Sequence, residues 1–271
     1  MNRLWLLLIA IAVASCGGGS GNLAVVGSSP STIGVGQQRL VMAEVDPESS
    51  AFVGGPGEEV TVTFAGPSGA GQTVPAEWVW SIEGVRGFLI ARPDFDEPGP
   101  WTAAINSPRG TTDETAFSVN ADIPIPEVGE PVPASETRTS PEFELESITT
   151  DPDPQAAFYE MTVAEAISNG TPALIVFATP AFCQTAVCGP TMEIVKEAVA
   201  GRAGFDVVHV EIFENVDSAG EGRLIEVPAV IEWGLPSEPW VYVVDAGGIA
   251  TARFEGAVSP EELGAALDAL G

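Results

Sequence analysis

Hydrophobic and polar residues follow two different rhythms along the 271-residue chain. Between residues 33 and 121, short segments alternate between apolar and polar positions, and clusters of Gly, Pro and Asp separate them. Period-two alternation in short segments is typical of β-strands. The predicted strands are residues 39–45, 59–64, 78–80, 87–91, 101–105 and 115–119. Strands at this spacing predict an all-β sandwich over residues 33–121.

The second rhythm begins near residue 155, where helical periodicity alternates with wholly apolar segments. Predicted helices are residues 162–169, 191–200 and 227–233, and predicted strands are residues 174–178, 205–213, 240–245 and 249–254. Ser259 as N-cap, Pro260 and Glu262 as the capping-box acid predict the start of a last helix. Such alternation predicts an α/β domain over residues 155–271.

Residues 122–154 lie between the two rhythms and are rich in Pro, Glu, Ser and Thr. A segment with few apolar side chains cannot bury enough surface to offset the entropy of ordering it. We therefore predict a Pro/Glu-rich linker here that is extended and mobile.

The N-terminus carries targeting signals. A short basic start precedes an apolar run from residue 4 to 13, which has the length of a signal peptide. Residues 13–16, Val-Ala-Ser-Cys, resemble a bacterial lipobox. The resemblance implies removal of residues 1–15, lipidation of Cys16 and a tether over residues 16–32. The alternative is an ordinary secretory signal with an incidental cysteine.

The charge balance limits the possible partners. The chain has 38 acidic and 10 basic residues, a formal net charge of −28. Such a surface repels polyanions, so no nucleic-acid partner is expected. It is typical of an exported or salt-adapted protein. If Cys16 of the three cysteines is lipidated, Cys183 and Cys188 remain as the two thiols in an oxidising compartment, where disulfides persist.

Cys183 and Cys188 follow a buried-type strand and precede a helix. Unpaired N–H groups and the dipole at a helix N-terminus favour the thiolate form of a nearby cysteine. The position therefore suits a reactive thiol.

The order of elements, with Pro239 directly before the strand at residues 240–244, resembles a thioredoxin-like domain. The resemblance implies that Cys183 is the attacking thiol and Cys188 the resolving thiol. It further implies that Phe182, Glu238 and a cis-configured Pro239 contact the substrate, with Pro236 as a lesser alternative for the proline. Residues 96–101, an acidic Pro/Gly corner that leads into a tryptophan, resemble immunoglobulin-like bacterial modules.

The cysteine spacing departs from the usual Cys-x-x-Cys motif, because four residues intervene. Five residues of regular helix rise about 7.5 Å and place the two side chains on different faces. Their Cα atoms would exceed the reach of a disulfide, about 7 Å. Either the pair is not bridged or residues 183–188 leave helical geometry. Pro190 favours the second case, because proline is tolerated in a first turn. The strand at residues 174–177 also lacks the buried acid that this family often carries there.

Other chemistries fit the residues less well. The Cys-x4-Cys spacing also occurs in peroxiredoxin-like thiol peroxidases, but the proline and hydroxyl that shape their peroxide pocket are displaced here. His209, the only histidine, sits between valines in a strand and is read as a core side chain rather than a copper ligand. Asp94, Asp96 and Glu97 are read as a solvated turn rather than a calcium site. No cofactor is expected.

Together these patterns predict a multidomain protein: an immunoglobulin-like sandwich followed by an α/β thioredoxin-like domain. The predicted function is a lipid-anchored thiol–disulfide oxidoreductase of the cell envelope, with envelope protein thiols or disulfides as partners. The alternative is a non-catalytic binding module in which a Cys183–Cys188 disulfide only staples a loop.

We predict that the mature protein begins at a lipidated Cys16. Labelling cells with radioactive palmitate should mark the wild-type protein and leave a Cys16→Ser variant unlabelled. Equal labelling of both proteins, or a wild-type protein in the soluble fraction, would contradict the lipobox interpretation.

Overall fold

A computed structural model describes residues 19–69, 71–183, 187–216 and 224–270. The predicted signal peptide and Cys16 lie outside the described residues. No helix within the described ranges combines the length and hydropathy needed to cross a membrane. The described residues form two main sheets, each with its own apolar core.

The first main sheet has nine strands. Their order is β1-β10-β9-β5-β6-β7-β3-β4, β11 pairs with β9, and an additional β1–β3 pairing closes the sheet on itself. The strands are β1 (Gly19–Val26), β3 (Leu40–Val45), β4 (Phe52–Val53), β5 (Val60–Ala65), β6 (Gly71–Ile82), β7 (Arg86–Ala91), β9 (Gly99–Ser107), β10 (Gly110–Asp113) and β11 (Thr115–Val119). β2 (Gly36–Gln37) and β8 (Asp94–Phe95) form a separate two-stranded sheet.

Alternation of side chains builds the core of this sandwich. In β5, Val60, Val62 and Phe64 are buried while the threonines between them point outward. Phe64 packs edge-on against Phe95, with ring centroids 5.6 Å apart. The all-β sandwich and the predicted strands are confirmed.

Three strands of the nine-stranded sheet, β1, β4 and β10, were not predicted from the sequence. Part of the expected tether, from Gly19 onward, belongs to β1, which pairs with β3 and β10. The apolar run at residues 23–26 forms this strand. It was hidden because it follows directly on a glycine-rich stretch.

The second main sheet has four strands in the order β13-β12-β14-β15. β12 (Ala173–Ala178) is parallel to β13 (Asp206–Glu211) and antiparallel to β14 (Trp240–Val244), which pairs with β15 (Ala250–Glu255). All six residues of β12 are buried, since apolar clusters cover both faces of the sheet. The helices are α1 (Leu145–Ile148), α2 (Val163–Ser168), α3 (Cys188–Val199), α4 (Pro228–Glu232) and α5 (Pro260–Asp268). The capping box predicted for the last helix is confirmed.

Residues 122–154 pack against the second sheet and differ from the expected mobile linker. Ile125 and Val132 are buried in its core, and the Val132 N–H donates to the Gly248 carbonyl over 3.0 Å. Apolar side chains of this proline-rich segment reach the sheet, and the polar side chains of Ser135, Thr139, Thr149 and Asp151 are buried as well. The segment also contains α1 (Leu145–Ile148), and composition does not indicate what a chain with few apolar residues lies against.

Arg39 of the sandwich joins it to the second sheet. Its guanidinium binds the Glu262 carboxylate at 2.8 Å and donates to the backbone carbonyls of Glu255 and Ala257. The side chains of Arg39 and Glu262 are only 12% and 9% exposed. Burial raises the pKa of Glu262, but the hydrogen bond and charge of Arg39 outweigh burial, so the pKa lies below its usual value.

We predict that Arg39→Met lowers the free energy of unfolding by about 3 kcal/mol, because it leaves buried acceptors without a donor. Arg92→Met is the matched control. Arg92 also pairs with Glu262, but its side chain is 47% exposed, so we expect a loss of about 1 kcal/mol or less. Urea denaturation of the full chain measures both values. Equal losses for the two variants would contradict the assigned role of Arg39.

Candidate functional site

Cys183 and Cys188 form a disulfide, with their Cα atoms 6.0 Å apart. Helix α3 begins at Cys188, and Val187 is its N-cap residue. Pro190 lies in the first turn of the helix, where a missing N–H costs nothing. Residues 184–186, which the sequence analysis expects to leave helical geometry, lie outside the described residues.

The two sulfurs have different surroundings. Cys188 is completely buried in an apolar cluster with Met192, Val195 and Val176. Cys183 packs against the same cluster from outside and is half-buried. The backbone N–H of Cys188 donates to the Cys183 Sγ over 3.2 Å. Of the two cysteines, Cys183 is therefore the one that is partly exposed.

Pro239 lies at the same edge of the sheet as the disulfide loop. The peptide bond between Glu238 and Pro239 is cis, as the sequence analysis expected. Trp240, the next residue, pairs with Phe177 near the end of β12, the strand from which the loop to Cys183 departs. Pro239 itself is buried and Glu238 is half-buried. Of this pair, Glu238 is the more accessible to a partner.

Phe182 directly precedes Cys183 in the chain. It is half-buried, and its ring lies 6.4 Å from the ring of Phe213 in an edge-on arrangement. Its N–H donates to the Thr179 carbonyl over 3.2 Å, which closes a tight turn after β12. The turn fixes the direction in which the chain enters the disulfide loop.

A buried carboxylate supports this turn from the neighbouring strand. Glu211 pairs in register with Ala178, and its carboxylate accepts hydrogen bonds from the Thr150 N–H at 2.9 Å and the Thr150 hydroxyl at 2.6 Å. The same hydroxyl accepts from the Ala181 N–H over 3.2 Å. Burial raises the pKa of Glu211. Glu211 was not predicted as part of the site, because the family comparison placed the buried acid on the strand that became β12. The available signal was an acid at the end of a strand rich in valine, β13.

His209 is a core histidine, as predicted. The Tyr159 hydroxyl donates to its Nδ1 over 2.6 Å, and its Nε2–H donates to the Ala178 carbonyl over 3.1 Å. Burial lowers the pKa of His209 to about 4. Both ring nitrogens are thus engaged in holding the end of β12.

A buried salt bridge connects α3 to the segment at residues 122–154. Lys196 of α3 contacts Asp151 at 2.9 Å, and both side chains are almost fully buried. Among the residues that the structure describes, no cluster of three or more His, Cys, Asp or Glu side chains is arranged to hold a metal ion. At residues 94–97, the Glu97 carboxylate accepts a hydrogen bond from the Ser68 N–H in a turn.

Comparison with known proteins returns immunoglobulin-like domains. The crystal structure of the Lin-41 filamin domain matches with 11% identity over 36% of this chain and 93% of its own, at a TM-score of 0.25. The solution structure of the TIG domain from human nuclear factor of activated T-cells, cytoplasmic 4, matches with 20% identity over 40% of this chain and 94% of its own, at a TM-score of 0.24. No family model and no curated protein matches.

These findings correct the family assignment made from the sequence. Both matched structures are immunoglobulin-like, and no family model supports a thioredoxin-like protein, so that assignment was wrong. The physical reason is that the motif was local. An apolar strand, a cysteine turn, a helix and a proline before a strand describe short-range chain geometry, which many mixed sheets share.

We predict that His209 makes the protein less stable in acid. Its folded pKa of about 4 lies below its unfolded value of 6.5, so the stabilisation is complete above the unfolded value and is lost as the pH falls through the folded one. Between about pH 7.5 and about pH 5, the wild type should lose about 2 kcal/mol more than a His209→Gln variant.

Urea denaturation at the two pH values measures this difference. The raised pKa of Glu211 acts in the opposite direction, but Glu211 is present in both proteins and its effect cancels in the comparison. Equal losses in the two proteins would mean that His209 does not titrate as its burial requires.

Proposed function

We propose that this protein exchanges thiols and disulfides through Cys183 and Cys188. The observation that carries the proposal is the asymmetry of the pair: Cys183 is partly accessible, and Cys188 is fully buried at the first residue of α3. A disulfide that only staples a loop needs no such difference. An exchange reaction does need it, because one sulfur must meet the partner and the other must remain protected until the second step.

The reaction proceeds in two steps. The Cys183 thiolate attacks one sulfur of a partner disulfide, forms a mixed disulfide and releases one partner thiolate. The Cys188 thiolate then attacks Cys183, forms the internal disulfide and releases the second partner thiolate. Two electrons pass from this protein to the partner, and the reverse sequence oxidises a partner dithiol.

The surroundings support Cys183 as the attacking thiol. In the reduced protein, the Cys188 N–H that now donates to Cys183 Sγ would stabilise a Cys183 thiolate. The N-terminus of α3 acts in the same direction. Phe182 offers an apolar contact for a partner chain, and we assign Glu238 and Pro239 to the same partner contact because they lie at the same sheet edge.

We assign the reaction to the cell envelope. The lipobox-like residues that end at Cys16 support attachment of the protein to a membrane through lipid, with both redox cysteines on the extracytoplasmic side. The partners we propose are envelope proteins that carry accessible thiols or disulfides.

We predict that the bridge is reversible and that Cys183 reacts first. Across a glutathione redox series, mass spectrometry of the alkylated cysteine peptide should give a reduction potential well above the range of structural disulfides, which lie below about −300 mV. In the reduced protein, Cys183 should be alkylated faster than Cys188, because Cys188 is buried.

Two variants test the order of attack. Cys188→Ala should accumulate mixed disulfides with envelope proteins in cells, since it lacks the resolving thiol, whereas Cys183→Ala should accumulate none. A bridge that resists strong excess of a dithiol, or full alkylation of both cysteines without reductant, would overturn the proposed function.

A further inference from the structure

Strand β6 changes partners halfway along its length. Residues 71–76 pair with β5, whereas residues 76–82 pair with β7. A strand has two edges, and in the described part of the chain no strand pairs with residues 77–82 on the side away from β7. A free strand edge carries backbone donors and acceptors that an extended chain can pair with.

This free edge forms one wall of a groove of about 790 Å³. Every residue from 77 to 83 lines the groove. Successive side chains of a strand point to opposite faces, so consecutive lining residues mean that the groove runs along the edge of the strand. The opposite wall is formed by α3, through Pro190 and Ile194, and by the start of α5.

Two tryptophans form a corner in this wall. The rings of Trp78 and Trp80 meet at 88° with centroids 5.3 Å apart. The Trp78 ring packs on Gly87, where a Cβ atom would lie 2.4 Å from the ring, so the position of the corner is fixed by a glycine. Tryptophan is the side chain whose ring face attracts a cation most strongly.

The groove is acidic. The lining glutamates are Glu77, Glu83, Glu193, Glu197 and Glu261, and no lysine, arginine or histidine lines the groove. Arg92 pairs with Glu77 and Lys196 with Glu193. The structure gives the other three carboxylates no ion pair within its described ranges. The charge and the aromatic corner both complement a cation.

We propose that this groove binds an extended basic segment of another protein. The segment adds a strand to the free edge of β6 and places lysine or arginine side chains against the glutamates and the tryptophan corner. Residues 77–83 span about 20 Å at the rise of a β-strand, which accommodates about seven residues of a partner. This binding uses no thiol chemistry and is independent of the proposed redox function.

The experiment uses the oxidised full chain and a seven-residue peptide that alternates arginine and valine, acetylated and amidated at its ends. Isothermal titration measures its dissociation constant. A second peptide of the same sequence carries an N-methyl group on every backbone amide. It keeps the charge but cannot complete a strand ladder, so we expect it to bind at least about tenfold more weakly.

Three variants locate the site. The Glu83→Gln/Glu261→Gln double variant and Trp80→Ala should each weaken binding of the unmodified peptide by about tenfold. The control Glu48→Gln/Glu114→Gln makes the same change in net charge at two exposed glutamates away from the groove, and it should bind as the wild type does. Circular dichroism checks that each variant is folded. If Trp80→Ala does not fold, the Glu83→Gln/Glu261→Gln variant alone tests the site.

Two results would overturn the proposal. Equal binding of the N-methylated peptide would show that no strand is added. Equal weakening by the control and groove variants would show that the acidic surface as a whole attracts the peptide and that the groove does not select it.

Discussion

The Arg39 guanidinium forms a buried ionic contact between the sandwich and the second sheet. It binds the Glu262 carboxylate through two nitrogens and also reaches two backbone carbonyls of the second sheet unit. Only the planar guanidinium of arginine presents donors in this fork, so lysine could not replace it. Glu262 also completes the capping box of α5 by accepting from the Ser259 N–H. One carboxylate thus starts a helix and joins the two sheets.

Packing between α5 and α3 connects the Arg39–Glu262 contact to Cys188. Leu263 and Leu267 of α5 share an apolar cluster with Met192 and Val195 of α3. Cys188, the first residue of α3, lies in the same cluster. The cluster holds Cys188 while the polar group around Glu211 holds the turn that leads to Cys183. The two sulfurs are therefore positioned by different parts of the fold, one by apolar packing and the other by hydrogen bonds.

Local features of this fold could be predicted from the sequence, and contacts between distant segments could not. Period-two alternation located the main sandwich strands, and Pro190 indicated where α3 could begin. The pairing of Arg39 with Glu262 joins residues 223 positions apart, and no local pattern encodes it. The same limit explains the missed strand β1, the packed segment at residues 122–154 and the unexpected role of Glu211. It also explains the wrong family assignment, which rested on a local motif.

Helix α3 contacts the core with one side and lines the groove beside β6 with the other. Its apolar stripe of Cys188, Met192 and Val195 faces the core, and its other stripe, including Pro190 and Glu197, faces the groove beside β6. In the exchange that we propose, Cys188 is held in the core, so movement is needed only on the Cys183 side, which precedes the helix. We therefore expect the groove to keep its shape when the disulfide is reduced. A protein bound there would lie close to the start of α3 without having to react, which separates recognition of a partner from exchange with it.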